Sequence, residues 1–198
     1  MHTHRDDYGS RMGMWLFLFT ELLLFGGLFL VYMAYRQEYS EFFKVGSAEL
    51  ALPMGTINTI VLLTSSLTMV LSIVALQKHK KALSLTFLSS TIGLAVAFGV
   101  IKYFEWSAKI HHGIYPGSDE LVNRANGEVI FFGLYYVMTG LHGLHVLIGV
   151  IFISFVMVFM IRNKVTSDNY VKLENAGLYW HLVDLIWIFL FPLFYLIH

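Results

Sequence analysis

The 198-residue sequence contains no cysteine and few charged residues. Without cysteine, the chain cannot form disulfides, thiolate metal sites or iron–sulfur ligation. Its 13 Lys and Arg residues balance its 13 Asp and Glu residues, so the neutral chain gives no electrostatic footprint for nucleic acid. Only 13% of residues are charged and 57% are hydrophobic, far from the usage of a soluble domain. The composition therefore predicts an integral membrane protein.

Long apolar runs occupy the stretches from which charge is missing. Each run is long enough for an α-helix to cross a hydrocarbon core, which needs about 20 residues. The runs show no alternation of polar and apolar residues over about 10 positions, as a membrane β-strand would. We therefore predict an all-α, polytopic bundle of five transmembrane helices in a single domain over residues 1–198. The predicted helices cover approximately residues 12–35, 54–77, 83–106, 129–161 and 171–197.

The polar N-terminal segment, residues 1–11, is not typical of a signal peptide, because no small-residue cleavage site follows it. We therefore expect the first helix to remain in the mature protein.

Basic residues indicate the orientation of the bundle, since Lys and Arg accumulate on the cytoplasmic side. About twice as many lie on the side of the N-terminus as in the opposite loops. The first group comprises Arg5, Arg11, Lys78, Lys80, Lys81, Arg162, Lys164 and Lys172, and the second Arg36, Lys44, Lys109 and Arg124. We expect the N-terminus in the cytoplasm and the C-terminus outside.

Ionisable residues inside the apolar runs are costly and therefore point to function. With a rise of about 1.5 Å per residue, Glu21, His181 and Asp184 lie roughly 14 to 18 Å from the cytoplasmic edge. Helical spacing also places polar residues of the fourth and fifth helices on inward-facing stripes. We expect one buried polar cluster that comprises Glu21, His142, His145, Glu174, His181 and Asp184.

Three interpretations of this cluster follow from the residues. The favoured one is packing, in which hydrogen bonds tie the fourth helix to the first and fifth. A proton relay through Glu21 is the sharper alternative, because intramembrane carboxyl and imidazole groups serve such relays. A di-metal site built on His142 and His145 is disfavoured, since the ExxH repeat of di-iron bundles is absent, and we expect no metal.

Two further groups of polar residues lie nearer the membrane surfaces. Asn58, Lys102 and Glu105 form an outer group, in which Lys102 and Glu105 are three residues apart and can pair. We expect an interfacial ion pair whose lysine extends to the surface. Arg162 and Lys164, at the inner end of the fourth helix, are candidates for lipid phosphates, although topology alone also explains them.

The ordered motifs resemble subunit III of the haem-copper terminal oxidases, the family of cytochrome c oxidase and quinol oxidase. The resemblance spans essentially all five helices. The most specific motif is Thr-Gly-Leu-His-Gly-Leu-His-Val on the fourth helix, followed by Tyr-Trp-His-Leu-Val-Asp-Leu-Ile-Trp on the fifth. The matching segments are residues 15–21, 57–59, 99–106, 139–146 and 179–187.

The resemblance implies a non-catalytic subunit of a proton-translocating oxidoreductase in the aerobic respiratory chain. Haem and copper are then held by subunits I and II, with no metal, cofactor or catalytic residue in this chain. Subunit III of the family packs against subunit I, binds phospholipid, stabilises the active site during turnover and places its buried glutamate, here Glu21, near the proton-uptake route. Larger members have two additional N-terminal helices that form a lipid-filled cleft. Five-helix forms are common in bacteria, which implies a multi-pass protein of the inner membrane.

Two other functions stay open at the level of sequence. One is an accessory subunit of a nitric oxide reductase, since a related subunit accompanies some of these enzymes. The other is an autonomous proton or ion carrier, which the lack of internal inverted repeats disfavours.

Overall fold

The computed structural model describes residues 7–197, in which seven helices form without a β-sheet. Five of these helices are long and apolar enough to cross a membrane, which confirms the predicted all-α architecture of five spans. Their bounds are α1 Asp7–Glu38, α2 Ser40–Ala48, α3 Leu52–Gln77, α4 Lys81–His111, α5 Asp119–Val122, α6 Asn126–Ile161 and α7 Val171–Tyr195. Arg5, one of the residues used for orientation, lies outside the described part.

Four of the five long helices extend beyond the predicted apolar runs, because polar residues continue a helix after it has left the hydrocarbon. Helix α7 instead ends at Tyr195, two residues before the predicted end. Helix α4 continues past Trp106 to His111, and α6 begins at Asn126 rather than at Val129. The short helices α2 and α5 lie in the connections between spans, where no apolar run announces them. A serine cap begins α5, since the Ser118 hydroxyl accepts a hydrogen bond from the Leu121 amide.

Helices α3 and α4 form a hairpin whose interface is polar at two positions. The connecting turn contains His79 at a φ of 57°. The Thr68 hydroxyl lies 2.8 Å from that of Thr91, and the Ser72 hydroxyl 3.0 Å from that of Ser84. Small hydroxyl side chains let membrane helices approach closely and hydrogen-bond across the interface.

The turn between α3 and α4 lies beside the turn between α6 and α7. Lys81 donates to the Asn163 side chain at 2.6 Å and to the Ile161 carbonyl at 3.2 Å. These two turns and the start of α1 define what we call the N-terminal end of the bundle, and the other two connections define the opposite end.

Helix α7 lies at the centre of the bundle and α1 at its edge. In the 18-residue apolar stretch of each long helix, 56% of the residues are buried in α7 and only 11% in α1. Helix α1 packs through a narrow stripe of Leu18, Phe25 and Tyr32, and the Tyr32 hydroxyl donates to the Leu193 carbonyl of α7. The remaining apolar faces of α1 are open to lipid or to a partner.

Close packing of α6 on α7 depends on a glycine. A Cβ atom at Gly149 would lie 2.8 Å from the Trp180 ring, closer than real Cβ contacts allow. On the α3 side, the Trp180 indole donates to the Ser65 hydroxyl at 3.1 Å. Trp180 therefore lies wedged between α3 and α6, and its polar nitrogen is satisfied.

Candidate functional site

A carboxyl–imidazole pair joins α1 to α6 within the membrane span. Glu21 Oε2 lies 2.8 Å from His145 Nε2, and the two side chains are 14% and 10% exposed. His145 Nδ1 lies 2.7 Å from the Leu141 carbonyl. Because a carbonyl can only accept, Nδ1 carries a proton, and a single further proton is shared between Nε2 and the carboxyl group. The pair can thus hold that proton on either residue.

His142 lies apart from this pair, although it is three residues away on α6. It is fully buried, and neither ring nitrogen has a hydrogen-bond partner among the described residues. Its ring packs against Phe98 of α4 and Trp187 of α7, with centroids 5.7 and 5.2 Å away. A spacing of three residues offsets side chains by about 60° around a helix, so the two histidines point to different neighbours.

A third arrangement lies between α3 and α7. The Ser66 hydroxyl is 2.7 Å from His181 Nδ1. Asp184 follows one turn later on α7; it is 4% exposed, and neither carboxyl oxygen has a hydrogen-bond partner in the described structure. His181 and Asp184 therefore lie on one face of α7. The hydroxyl that contacts His181 belongs to Ser66, which was not predicted as a site residue.

Glu174 lies at the N-terminal end of the bundle, in an ion pair with Arg11 at 2.6 Å. The next residue, Asn175, donates to the Ser10 hydroxyl at 3.0 Å. The six residues expected to form one cluster are thus distributed over four places: Glu21 with His145, His142 among aromatic rings, His181 with Asp184, and Glu174 with Arg11.

At the opposite end, Lys102 and Glu105 form an ion pair at 3.0 Å, with side chains 11% and 1% exposed. Tyr195 and Tyr135 donate to Glu105 Oε1 at 2.5 and 2.8 Å, and Lys102 also contacts both hydroxyls. The Lys102 ammonium lies 4.9 Å from the Trp187 ring centroid. The prediction that Lys102 extends to the surface is wrong, because aromatic rings and hydroxyls enclose its ammonium group within the bundle.

Asn58, assigned to the same outer group, makes no hydrogen bond to Lys102 or Glu105. It is fully buried, and both polar side-chain atoms lack a partner among residues 7–197. Its neighbour Thr59 accepts a hydrogen bond from the Trp187 indole at 3.0 Å. Asn58 therefore takes no part in the hydrogen bonds around Lys102.

Beyond the spans, Arg124 gathers three carboxylates that the sequence analysis did not connect. It contacts Glu49 at 2.7 Å, Glu128 at 3.1 Å and Glu120 at 4.0 Å. The hydrogen bond to Glu49 is the main reason that the pKa of Arg124 is raised above its ordinary value. This group holds α2, α5 and α6 together at the opposite end.

The candidate lipid-binding residues, Arg162 and Lys164, are exposed in the turn between α6 and α7. The Lys164 ammonium lies 5.9 Å from the Phe159 ring centroid. Neither residue has a carboxylate partner within the described part of the chain. Their charges are thus available at the surface of the N-terminal end.

Three residues that complete these sites were not selected from the sequence. Tyr135 lies on the same α6 face as His142, which was a usable signal. Ser66 belongs to a Ser/Thr-rich run with many equivalent members, and Tyr195 reads as an interfacial aromatic. Among residues 7–197, no group of three His, Asp or Glu side chains could hold a metal ion.

The sequence matches the protein family described as cytochrome c oxidase subunit III over residues 1–198. It is 30% identical to a probable quinol oxidase subunit 3 from Staphylococcus saprophyticus, over 95% of this chain and 89% of the relative. It is 33% identical to a cytochrome c oxidase subunit 3 from Alkalihalophilus pseudofirmus, over 93% and 85% of the two chains. A heme-copper oxidase subunit I+III from Aeropyrum pernix is 28% identical over 94% of this chain and 22% of that protein. The chain therefore belongs to the cytochrome c oxidase subunit III family.

Proposed function

We propose that the chain is the non-catalytic third subunit of a respiratory haem-copper terminal oxidase, in which it supports subunit I during the reduction of oxygen to water. The family match over the whole chain carries this proposal. Haem and copper belong to the partner subunits I and II. The relative named subunit I+III supports direct packing on subunit I, because the two subunits are joined in its name. The largely uncovered helix α1 offers apolar surface for such packing.

Within this role, the Glu21–His145 pair is the proposed element that supports proton uptake by subunit I. It holds one exchangeable proton between Oε2 and Nε2 at 2.8 Å. Both side chains are slightly exposed on the side of α1, the least buried of the five spans. A pair at this edge can exchange its proton with a neighbouring chain, whereas His142 is enclosed and serves as a packing residue.

We further propose that the N-terminal end of the bundle faces the cytoplasm of a bacterium and that the chain is a multi-pass protein of the inner membrane. The contact of Lys81 with Asn163 supports this orientation, because it brings two basic turns to one end. Arg162 and Lys164 in one of these turns are the proposed contacts for phospholipid phosphates, since both are exposed and lack a carboxylate partner in the described chain.

A mild-detergent pull-down of the tagged full-length chain from its native membrane tests the central proposal. Copurification of a large subunit together with haem absorption bands is expected, and an untagged strain is the control. A colourless and partner-free protein that stays folded would overturn the proposal and favour a carrier. Stoichiometric iron or zinc in the isolated chain would instead favour a metal enzyme.

A further inference from the structure

A cavity of about 360 Å³ lies at the N-terminal end of the bundle between α1, α3 and α7. Its wall includes Arg11 of α1, Ile73 of α3, and Glu174, Asn175 and His181 of α7. The Arg11 side chain is half exposed, so the cavity opens at the surface. We call this cavity the vestibule.

The vestibule extends into the membrane span along α7. Glu174 and His181 are seven residues apart, which corresponds to about 10 Å along a helix axis. Polar side chains line it at both limits, with the Arg11–Glu174 ion pair at the mouth and His181 inside. A cavity of this size with polar partners is large enough for several water molecules.

His181 connects the vestibule to the buried carboxyl group of Asp184. Its Nδ1 is hydrogen-bonded to the Ser66 hydroxyl, and its Nε2 is not among the fully buried atoms that lack a partner. Both carboxyl oxygens of Asp184, in contrast, are fully buried and have no hydrogen-bond partner in the described structure. Asp184 lies three residues beyond His181 on the same face of α7, so the Ser66 hydroxyl that contacts His181 also lies near the Asp184 carboxyl, without a hydrogen bond between them. A rotation of the Ser66 side chain that brings its hydroxyl to Asp184 would complete a path from His181 to the carboxyl group.

An orphaned carboxylate is unstable inside a membrane protein, because burial removes its hydration without replacement. No basic side chain of the described structure pairs with Asp184. The charged or titratable side chains that line the neighbouring vestibule are Arg11 of α1 and Glu174 and His181 of α7. Helix α3 has no ionisable side chain, and α6 directs His145 to Glu21. A proton is the remaining partner that the surroundings can supply.

We propose that the vestibule admits water to His181, and that His181, Ser66 and Asp184 form an internal proton-binding site loaded from the N-terminal end of the bundle. The site starts with a neutral His181 that carries its proton on Nδ1. A hydronium ion in the vestibule gives a proton to Nε2 of His181 and becomes water. The Nδ1 proton passes to Ser66 Oγ, and the original hydroxyl proton of Ser66 passes to an oxygen of Asp184. The imidazole and the hydroxyl end neutral, and the carboxylate becomes a carboxylic acid. The site requires only a membrane-spanning chain, and it is independent of the Glu21 role and of the oxidase partners.

Water access can be tested by thiol labelling, since the native chain has no cysteine. Leu178, in the vestibule wall, and Leu185, 44% exposed on the outer face of α7, are a matched pair on one helix. In the full-length chain, purified in mild detergent with whatever subunits accompany it, Leu178→Cys is expected to react with a charged methanethiosulfonate at least about tenfold faster than Leu185→Cys, because the reactive thiolate forms in water. Mass spectrometry of this chain reads the label. Equally slow labelling of both variants would overturn the proposal.

The proton itself can be followed by the infrared carboxylic C=O stretch of the same purified chain, with whatever subunits accompany it, after transfer into deuterated water. A band that shifts on exchange is expected to vanish in Asp184→Asn and to persist in Glu21→Gln. If Asp184→Asn does not assemble, Ser66→Ala decides the question, with exchange of the band expected to slow at least about tenfold. A band unaffected by these changes at positions 184 and 66 would overturn the proton site, whatever the outcome of the pull-down.

Discussion

Replacement of Glu105 by Gln should strongly destabilise the bundle, although the two side chains have nearly the same shape. The change removes the only carboxylate that contacts Lys102 in the described chain, at 3.0 Å. At an effective dielectric constant near 20, Coulomb attraction at this distance is about 5 kcal/mol. Breaking a buried ion pair by removing one partner typically costs about 3–5 kcal/mol, because the remaining charge stays buried and uncompensated.

A loss of about 3 kcal/mol lowers the folded-to-unfolded ratio more than a hundredfold. The assay is thermal unfolding of the purified complex in mild detergent, followed by tryptophan fluorescence, since Trp187 lies beside Lys102. Tyr135→Phe is the control. It removes a neutral donor to Glu105 but keeps the ion pair, and should cost only about 1–2 kcal/mol.

The double variant Lys102→Met, Glu105→Leu separates charge from shape. Apolar replacement of both partners of a buried pair is often neutral or stabilising. We therefore expect it to be more stable than the Glu105→Gln variant. If Glu105→Gln unfolds at the wild-type temperature, or if the double variant is as unstable as the single one, the reasoning about an uncompensated buried charge is wrong.

Three further substitutions have expected outcomes. Gly149→Ala should cost about 1–3 kcal/mol through overpacking, whereas Gly143→Ala, with open space around its Cβ, should be neutral or slightly stabilising in the same thermal unfolding assay. Arg124→Ala should lower stability by about 1 kcal/mol, and less in high salt, because its carboxylate partners are partly exposed; a loss independent of salt would contradict this. Glu21→Gln should assemble normally but reduce the number of turnovers before the oxidase inactivates, while the surface control Glu41→Gln, whose side chain is 82% exposed, should not; equal lifetimes would refute the proton role of Glu21.

The five spans were predictable because a hydrocarbon core imposes a minimum length on every helix that crosses it. The pairing of Lys102 with Glu105 was predictable for a similar reason, since residues three apart on a helix are neighbours. Its burial was not, because the enclosing rings of Trp187 and Tyr195 come from another helix. The sequence pattern of one helix predicts which of its own residues are neighbours, but not which residues of another helix pack against them.

The polar residues of α6 and α7 show the same limit. Depth placed Glu21, His181 and Asp184 in one layer, but a layer is not a contact. The partner of His181 is Ser66, one of many hydroxyl groups on α3, and that of Glu21 is His145 rather than His142. Which member of such a set becomes the partner depends on how the helices are rotated in the assembled bundle.

The central position of α7 has a consequence for how the protein is made. The helix that is buried most follows α1, α3 and α6 in the chain, so these helices enter the membrane before their common partner has been synthesised. At that stage three hydroxyl groups of α3 lack the indole and imidazole partners that α7 provides in the finished bundle. These hydroxyls belong to Thr59, Ser65 and Ser66. Until α7 inserts, the faces of α3 and α6 that it covers stay open to lipid, and Thr59 and Ser65 keep only the hydrogen bonds to carbonyls of their own helix.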